Sequence, residues 1–420
     1  METTFVSSPT AGSSAGDIGI RTSAPHEVVT NPGDIRLVPH PAVAGDNYTC
    51  AAHHDVCSND DLLSMILSNL PLISLRLFKS VCKRWLNLIT GDPVLHALRT
   101  KNPNADHPRG LIFSIQNSHS ELAYVPLAPK TTTKNHSLIT TTTIPFYQII
   151  SSSIKVMQSC NGLLLCQDPP CKFYVYNPTI NRYKLLPLPN SFRPHGLLIY
   201  MALAYDPAFS PHYKVIYPQE DFPRQVHVEV YSSETGSWRA CAQTFSISSF
   251  APFDRRAVYW GGAIHWLSRT HVYHFGLLDM ENPDFIKVED HEALYGVSYT
   301  SRDRLFVSRD CLLLVRMLPR PLRDQMNVYE MNADYSGWSV KYHVSFESDS
   351  SFVKPRVNLL AVVVGERVDD SFLVLEVNGV ALIQYNIISK TIDRLCDVTP
   401  IQLCVINFCG YLYTPSLAGV

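Results

Sequence analysis

The residues best suited to metal chemistry form a short cluster near the start of the chain. Cys50, His53, His54 and Cys57 follow the spacing Cys-x-x-His-His-x-x-Cys. Thiolate sulfur and imidazole nitrogen are ligands that Zn²⁺ prefers in proteins, so the four side chains could hold one ion. Because the cluster stands alone in a polar segment, we interpret it as a chance arrangement and predict no metal site.

Enzyme chemistry has little support in the motifs of the chain. There is no phosphate-binding loop ending in Gly-Lys-Ser/Thr, no His-Glu-x-x-His helix and no Gly-x-Gly-x-x-Gly turn. Sixteen histidines could still assemble a Ser/His/Asp set in space, since such triads are recognised by geometry and not by sequence order. We therefore predict a non-catalytic protein without a cofactor and keep a hydrolase as a minor alternative.

Composition and charge exclude several classes of partner. Lys and Arg number 35 against 37 Asp and Glu, and no long basic stripe is present, which argues against nucleic acid as the main ligand. No apolar run approaches the ~18 residues of a membrane span. The N-terminus lacks the apolar stretch of a secretory signal, and the eleven cysteines are scattered without a Cys-x-x-Cys pair. We expect reduced thiols and a location in the nucleus or cytoplasm.

The elements that must position any site change in type along the chain. Residues 1–57 are rich in Ser, Thr, Ala, Gly and Pro and show no periodicity, which predicts a disordered leader. At Ser58 the pattern becomes helical, because Ser58 and Asp61 have the spacing of a capping box. Apolar residues then recur every three or four positions through Trp85. We predict a helical bundle over 58–100, so small that it needs a partner or a neighbouring domain.

From about residue 105 to 420 the pattern predicts an all-β domain. Short apolar strands are separated by turn residues, among them Asn161-Gly162 and Asn378-Gly379, which favour two-residue hairpin turns. A weak repeat places an aromatic residue at the end of one strand in each copy: Tyr176, Tyr231, Phe275, Tyr329 and Tyr385. The spacing of about 45–55 residues is typical of propeller blades and predicts about six of them. We expect Trp238, Trp260, Trp266 and Trp338 to pack between blades and not to form a ligand cage.

Residues 58–90 resemble an F-box. The resemblance lies in the segments Asp60-Asp61-Leu62-Leu63, Ile66-Leu67, Leu70-Pro71, Ser74-Leu75 and Val81-Cys82-Lys83-x-Trp85. In that family the F-box docks on a Skp-type adaptor, which is attached to a cullin scaffold and a RING subunit. By resemblance, the adaptor-binding pattern residues, shared between the helical core and the interface, are Leu62, Leu63, Ile66, Leu67, Leu70, Pro71, Leu75, Val81, Cys82 and Trp85.

The region from 105 to 420 resembles the kelch-like associated interaction domain of plant F-box proteins. The matching segments are Ser159–Leu165, Tyr176–Thr179, Leu203–Pro207 and Gly262–Leu267. The resemblance implies a multidomain α plus all-β chain that recruits a protein substrate for ubiquitination. It implies no catalytic residue, and the substrate-binding residues are unknown.

Two features of the sequence leave alternatives open. The family usually has Leu-Pro where this chain has Ser58-Asn59, a change that keeps a helix cap but removes an apolar contact. This favours, as the second hypothesis, a scaffold or regulatory binder that does not drive ubiquitination. Arg316, Arg320 and Arg323 surround two prolines and could form a basic loop that meets an acidic substrate, or simply a solvated turn.

Overall fold

The structure is a computed structural model. The residues that it describes are 59–68, 78, 81–91, 110–115, 121–127, 142–144, 154–193, 201–221, 225–246, 257–268, 271–277, 283, 285–288, 303–317, 325–346, 357–397 and 410–420. The predictions for the leader 1–57, including the Cys/His cluster, lie outside these residues. So do Ser58, Leu70, Pro71 and Leu75.

Two helices, α1 (Asp60–Ser68) and α2 (Lys83–Gly91), occupy the region of the predicted bundle. The N-cap of α1 is Asn59, whose Oδ1 accepts the backbone N–H of Asp61 at 2.9 Å and of Leu62 at 3.2 Å. The first backbone bond of the helix runs from the Leu63 N–H to the Asn59 carbonyl. The prediction that Ser58 caps this helix is therefore wrong, because the helix begins one residue later than the capping-box spacing suggests.

The rest of the described chain folds into six four-stranded antiparallel sheets, arranged as the blades of a propeller. Blade 3 carries one additional short strand, and a 3₁₀ turn (Val368–Asp370) lies in blade 6. In chain order the strands are β1 (Gly110–Ile115), β2 (Glu121–Pro126) and β3 (Thr142–Ile144) of blade 1; β4 (Lys155–Cys160), β5 (Leu163–Asp168), β6 (Lys172–Asn177) and β7 (Arg182–Leu185) of blade 2; β8 (Ala202–Ala204), β9 (Lys214–Asp221), β10 (Gln225–Ser232), β11 (Ser237–Ala240) and β12 (Phe245–Ser246) of blade 3; β13 (Ala257–Trp260), β14 (Ala263–Leu267), β15 (Val272–Gly276) and β16 (Phe285–Val288) of blade 4; β17 (Arg304–Ser308), β18 (Cys311–Met317), β19 (Gln325–Met331) and β20 (Trp338–Ser345) of blade 5; β21 (Val357–Val363), β22 (Phe372–Val377), β23 (Ala381–Asn386) and β24 (Ile392–Asp397) of blade 6; and β25 (Gly410–Tyr413), which returns to blade 1.

The ring is closed by the last strand of the chain. Strand β25 pairs antiparallel with β1, with Gly110 opposite Tyr413, and so becomes the innermost strand of blade 1. The innermost strands contact one another in the order β25, β4, β8, β13, β17, β21 and back to β25. Joining the two ends of the domain in one sheet protects edges that would otherwise be free to pair.

The repeat seen in the sequence marks the third strand of the blades. Tyr176, Tyr231, Phe275, Tyr329 and Tyr385 lie on β6, β10, β15, β19 and β23, and all five are buried. The prediction of about six blades is confirmed. Each blade alone has two apolar faces to cover, so a repeated buried aromatic is what stacking against the neighbouring blade requires.

The core of the propeller is divided into six apolar clusters, one at each contact between neighbouring blades. Trp266 and Phe275 lie in the cluster between blades 3 and 4, and Trp338 lies in that between blades 4 and 5. Trp238 and Trp260 pack against two of these clusters from their edges. The four tryptophans therefore pack between blades, as predicted, and do not form a common cage.

Turn geometry agrees with the sequence at one hairpin and differs at another. Asn161-Gly162 forms the predicted two-residue turn between β4 and β5, with φ of 44° and 88°. Asn378-Gly379 also has positive φ, but Val377 pairs with Ala381, so Val380 belongs to a three-residue loop. The two-residue prediction for this second hairpin is wrong because residue type fixes the positive φ and not the loop length.

Candidate functional site

The helix pair has a small core of its own. Leu63 and Leu67 of α1 and Ile89 of α2 are buried against one another, and Phe78, Trp85 and Leu88 pack against them. The Phe78 and Trp85 rings meet edge to face, with centroids 5.1 Å apart. Among the described residues of this region only these three apolar side chains are buried, and a core of this size is marginal without further contacts.

The outward surface of the same helices is also apolar. Five large apolar side chains each have between 39% and 59% of their surface exposed: Leu62, Met65, Ile66, Val81 and Leu86. We call these five residues the apolar helix surface. Exposed apolar side chains are common singly, but four of them in two short helices, with Val81 just before the second helix, are typical of a site where another protein binds.

The structure divides the residues of the F-box pattern between these two roles. Leu63 and Leu67 lie in the helical core, whereas Leu62, Ile66 and Val81 belong to the apolar helix surface. Cys82 is an exposed free thiol, and Trp85 is half buried at the border of the core. Met65 and Leu86 were missed because the family pattern leaves their positions open, although their apolar type within a helical segment was visible.

The two helices are also joined by an exposed ion pair. A guanidinium nitrogen of Arg84 lies 2.6 Å from Oδ1 of Asp60, and Arg84 Nε donates to the same oxygen at 2.8 Å. Asp60 and Asp61 stand in the first turn of α1, where negative charge interacts favourably with the helix dipole. These polar contacts therefore lie at the start of each helix.

The central channel of the propeller encloses a cavity of about 280 Å³. Two of the polar side chains that line it, Gln158 and Asn161, form hydrogen bonds between neighbouring blades. Gln158 exchanges two hydrogen bonds of 2.8 Å with the backbone of Leu203, and Asn161 donates to the Tyr205 carbonyl. Burial raises the pKa of the Cys160 thiol to about 12, so it stays protonated and is not an activated nucleophile.

Histidines do come together, at the contact of blades 4 and 5. His265 Nε2 lies 2.9 Å from the Tyr335 hydroxyl and 3.3 Å from His274 Nδ1. Burial, followed by the nearby His274, lowers the pKa of His265 to about 3. A general base at neutral pH needs a pKa close to 7, so this imidazole is poorly suited to the role that a hydrolase would give it.

One sequence-based candidate for substrate contact has a different place in the fold. Arg316 lies on β18, nearly buried, with its Nε 3.4 Å from Oδ2 of the fully buried Asp303. The interpretation of Arg316 as part of a basic surface loop is therefore wrong. Arg320 and Arg323 lie outside the described residues.

Two further findings concern the described part of the chain only. No group of three or more His, Cys, Asp or Glu side chains there could hold a metal ion, and the Cys50–Cys57 cluster is not among those residues. Within the same ranges, no helix has both the length and the apolar character needed to cross a membrane.

Comparisons with known proteins agree with this division into helices and propeller. Residues 59–96 match the family described as F-box domain, and residues 130–420 match the family described as F-box associated beta propeller domain. F-box protein At5g07610 of Arabidopsis thaliana is 31% identical over 376 residues, which cover 81% of this chain and 86% of that protein. F-box protein At5g49610 of the same plant is 26% identical over 242 residues, or 54% of this chain and 63% of the relative. The chain belongs to the F-box proteins that carry an F-box-associated β-propeller domain.

Proposed function

We propose that this chain is the substrate receptor of a Skp/cullin/F-box ubiquitin ligase. The helix pair docks on a Skp-type adaptor, and through it on the cullin and RING subunits, while the propeller recruits a protein substrate. The chain supplies no catalytic side chain, and it acts in the nucleus or the cytoplasm.

The observation that carries the proposal is the apolar helix surface. Leu62, Met65 and Ile66 lie on one helix whose other side already fills the core with Leu63 and Leu67. Burying aliphatic groups of this size against a partner contributes about 1.5–3 kcal/mol for each side chain that becomes fully buried. An adaptor that covers the surface would therefore provide burial that the small helical core lacks.

The propeller suits the second half of the role because its core is complete without a partner. Its six apolar clusters leave the turns between strands free to vary, and loops on a rigid scaffold are where recognition usually resides. A receptor of this kind works by proximity, since tethering raises the local concentration of substrate near the ubiquitin carrier to the millimolar range.

Binding of the purified full chain to a Skp-type adaptor tests the proposal. We expect the wild type to bind and the double variant Leu62→Asp/Ile66→Asp to lose binding, because two carboxylates would enter an apolar contact. Both side chains are exposed in the free chain, so the variant should fold. Leu188→Asp, at an exposed leucine of the propeller, is the matched control and should bind as the wild type does.

A wild type that folds but does not bind the adaptor would contradict the proposal. In that case the change to Ser58-Asn59 has removed a necessary contact, and the scaffold hypothesis takes its place. Equal binding by the wild type and the double variant would instead show that the contact lies elsewhere on the chain.

A further inference from the structure

The seven residues that follow β25 run over blade 2 and do not extend into solvent. We call residues 414–420 the C-terminal strap. All of them except Gly419 are half buried. The strap leaves the innermost strand of blade 1 and continues on the side of the propeller where the turn Asn161-Gly162 lies.

Asn177, at the end of β6, binds the backbone of the strap. Its side-chain nitrogen donates to the Ser416 carbonyl at 3.0 Å and to the Ala418 carbonyl at 2.9 Å. Its Oδ1 accepts the Thr179 N–H, which fixes the orientation of the amide. Asn177 has no exposed surface. This fully buried amide donates both of its N–H groups to the strap and so forms a specific binding site for that backbone.

Two residues near Asn177, Thr179 and Gly162, also contact the strap. Thr179 Oγ1 accepts the Ser416 N–H at 3.2 Å and lies 2.6 Å from the Tyr413 hydroxyl. Gly162 allows the strap to approach closely, since a Cβ atom there would collide with the Ser416 side chain. These contacts therefore fix the position of the backbone around Ser416 relative to blade 2.

The side chains that follow Ser416 contact two different parts of the molecule. Leu417 packs against the helical core formed by Leu63, Leu67 and Ile89. Ala418 and Val420 pack against the apolar cluster between blades 2 and 3. Neighbouring residues of one short segment thus contact the F-box helices and the propeller.

We propose that Leu417 is a positioning residue, which fixes the F-box helices in one orientation relative to the propeller through the strap held by Asn177. The inference rests on the proposed receptor function, because a fixed orientation matters when the propeller must present a substrate lysine at a set place near the ubiquitin carrier. Leu417 adds an apolar contact to a helical core that has few of its own.

The distance distribution between two labels on the full chain tests this proposal. Labels are introduced as unnatural amino acids at Lys83 of α2 and Glu234 of blade 3, both exposed, so that the native cysteines are left untouched. We expect one narrow distribution for the wild type, and loss of that single peak in Leu417→Asp. The control Leu188→Asp should keep the narrow peak, because it places the same charge at an exposed site away from the strap.

A second variant acts at a distance from the helices. Asn177→Asp keeps the acceptor for Thr179 but replaces both donors to the strap with a carboxylate that faces two carbonyl groups. We expect it to broaden the distribution as Leu417→Asp does, with the circular dichroism of the propeller retained. A broad wild-type distribution, or a narrow peak in both folded variants, would overturn the proposal.

Adaptor binding by the same proteins separates this inference from the proposed function. We expect both variants to bind a Skp-type adaptor within about two-fold of the wild type, since neither Leu417 nor Asn177 belongs to the apolar helix surface and Leu417 contacts the buried side of the helices. A wild type with a narrow distribution and no adaptor binding would contradict the receptor function while leaving the fixed orientation in place. A loss of the narrow peak with normal adaptor binding in Leu417→Asp is the result that the positioning role requires.

Discussion

The two folded regions of this chain distribute their apolar side chains in opposite ways. The helix pair buries Leu63, Leu67 and Ile89 and leaves a comparable number of large apolar side chains on its surface. The propeller places its apolar residues in six clusters between blades, and its exposed ones are scattered over outer strands and turns. In the described residues, the propeller covers most of its apolar side chains by itself, whereas the helix pair leaves a comparable number of them exposed.

The difference follows from how each region is closed. The propeller joins its two ends through β25 and β1, so every blade has a neighbour on both sides. The described helices are not closed in this way, and Leu417 of the strap adds one apolar contact to their core. We therefore expect core substitutions to have the largest effect on the stability of the propeller. In the helix pair, we expect substitutions of exposed apolar residues to act mainly on partner binding.

Truncation of an inter-blade tryptophan should have the largest effect. Trp266 is 1% exposed between blades 3 and 4, and Trp266→Ala should lower the free energy of unfolding of the propeller by about 3–5 kcal/mol, as observed for buried Trp and Phe in general. Chemical denaturation followed by circular dichroism measures the change. Val340→Ala, at an exposed strand position, should stay within about 0.5 kcal/mol, and an equal loss in both variants would contradict the picture of a core shared between blades.

Acid should weaken the propeller through His265. The pKa of His265 is about 3 in the folded protein, against about 6.5 for an ordinary histidine, so the unfolded chain binds more protons between these values and stability falls as pH falls below 6.5. Between pH 7 and pH 5 the wild type should lose roughly 2 kcal/mol more than His265→Gln, which cannot titrate. Denaturant titrations at the two pH values measure this difference, and an equal pH dependence in both proteins would exclude His265 as its source.

Removal of the helix cap should have a smaller effect, confined to the helices. Asn59→Ala leaves two N–H groups of α1 without their acceptor and should destabilise that helix by about 1 kcal/mol. Hydrogen exchange of the α1 amides measures the change. Asn59→Asp retains the acceptor and should exchange as slowly as the wild type, while faster exchange in blade 4 of the alanine variant would show that the two regions do not behave independently.

The exposed ion pair should contribute least. A double-mutant cycle of Asp60→Ala and Arg84→Ala should give a coupling energy of about 0.2–1 kcal/mol, because both groups are well solvated. The coupling should decrease in about 1 M salt, where the Debye length is near 3 Å. A larger coupling that does not respond to salt would mean that the helix pair depends on this contact more than on its apolar core.

The sequence predicted those features of the fold that local pattern controls. Strand type and the apolar face of α1 are set by neighbouring residues, and the aromatic of the third strand recurs once in each of blades 2 to 6, so each was visible in the sequence. The helix start was misplaced because Ser58 and Asn59 are both good caps, and only the actual register of the helix distinguishes them. The bonds from Asn177 to the strap join residues 239 and 241 positions apart, a pairing that no local pattern contains.

Hydrogen exchange of the full chain, with and without a Skp-type adaptor, is the most direct test of adaptor binding by the helix pair. We expect the adaptor to slow exchange in α1 and α2, because it would cover their exposed apolar side chains, while the strands of the propeller exchange at unchanged rates. Slower exchange in the propeller strands, with exchange in α1 and α2 unchanged, would contradict adaptor binding by the helix pair.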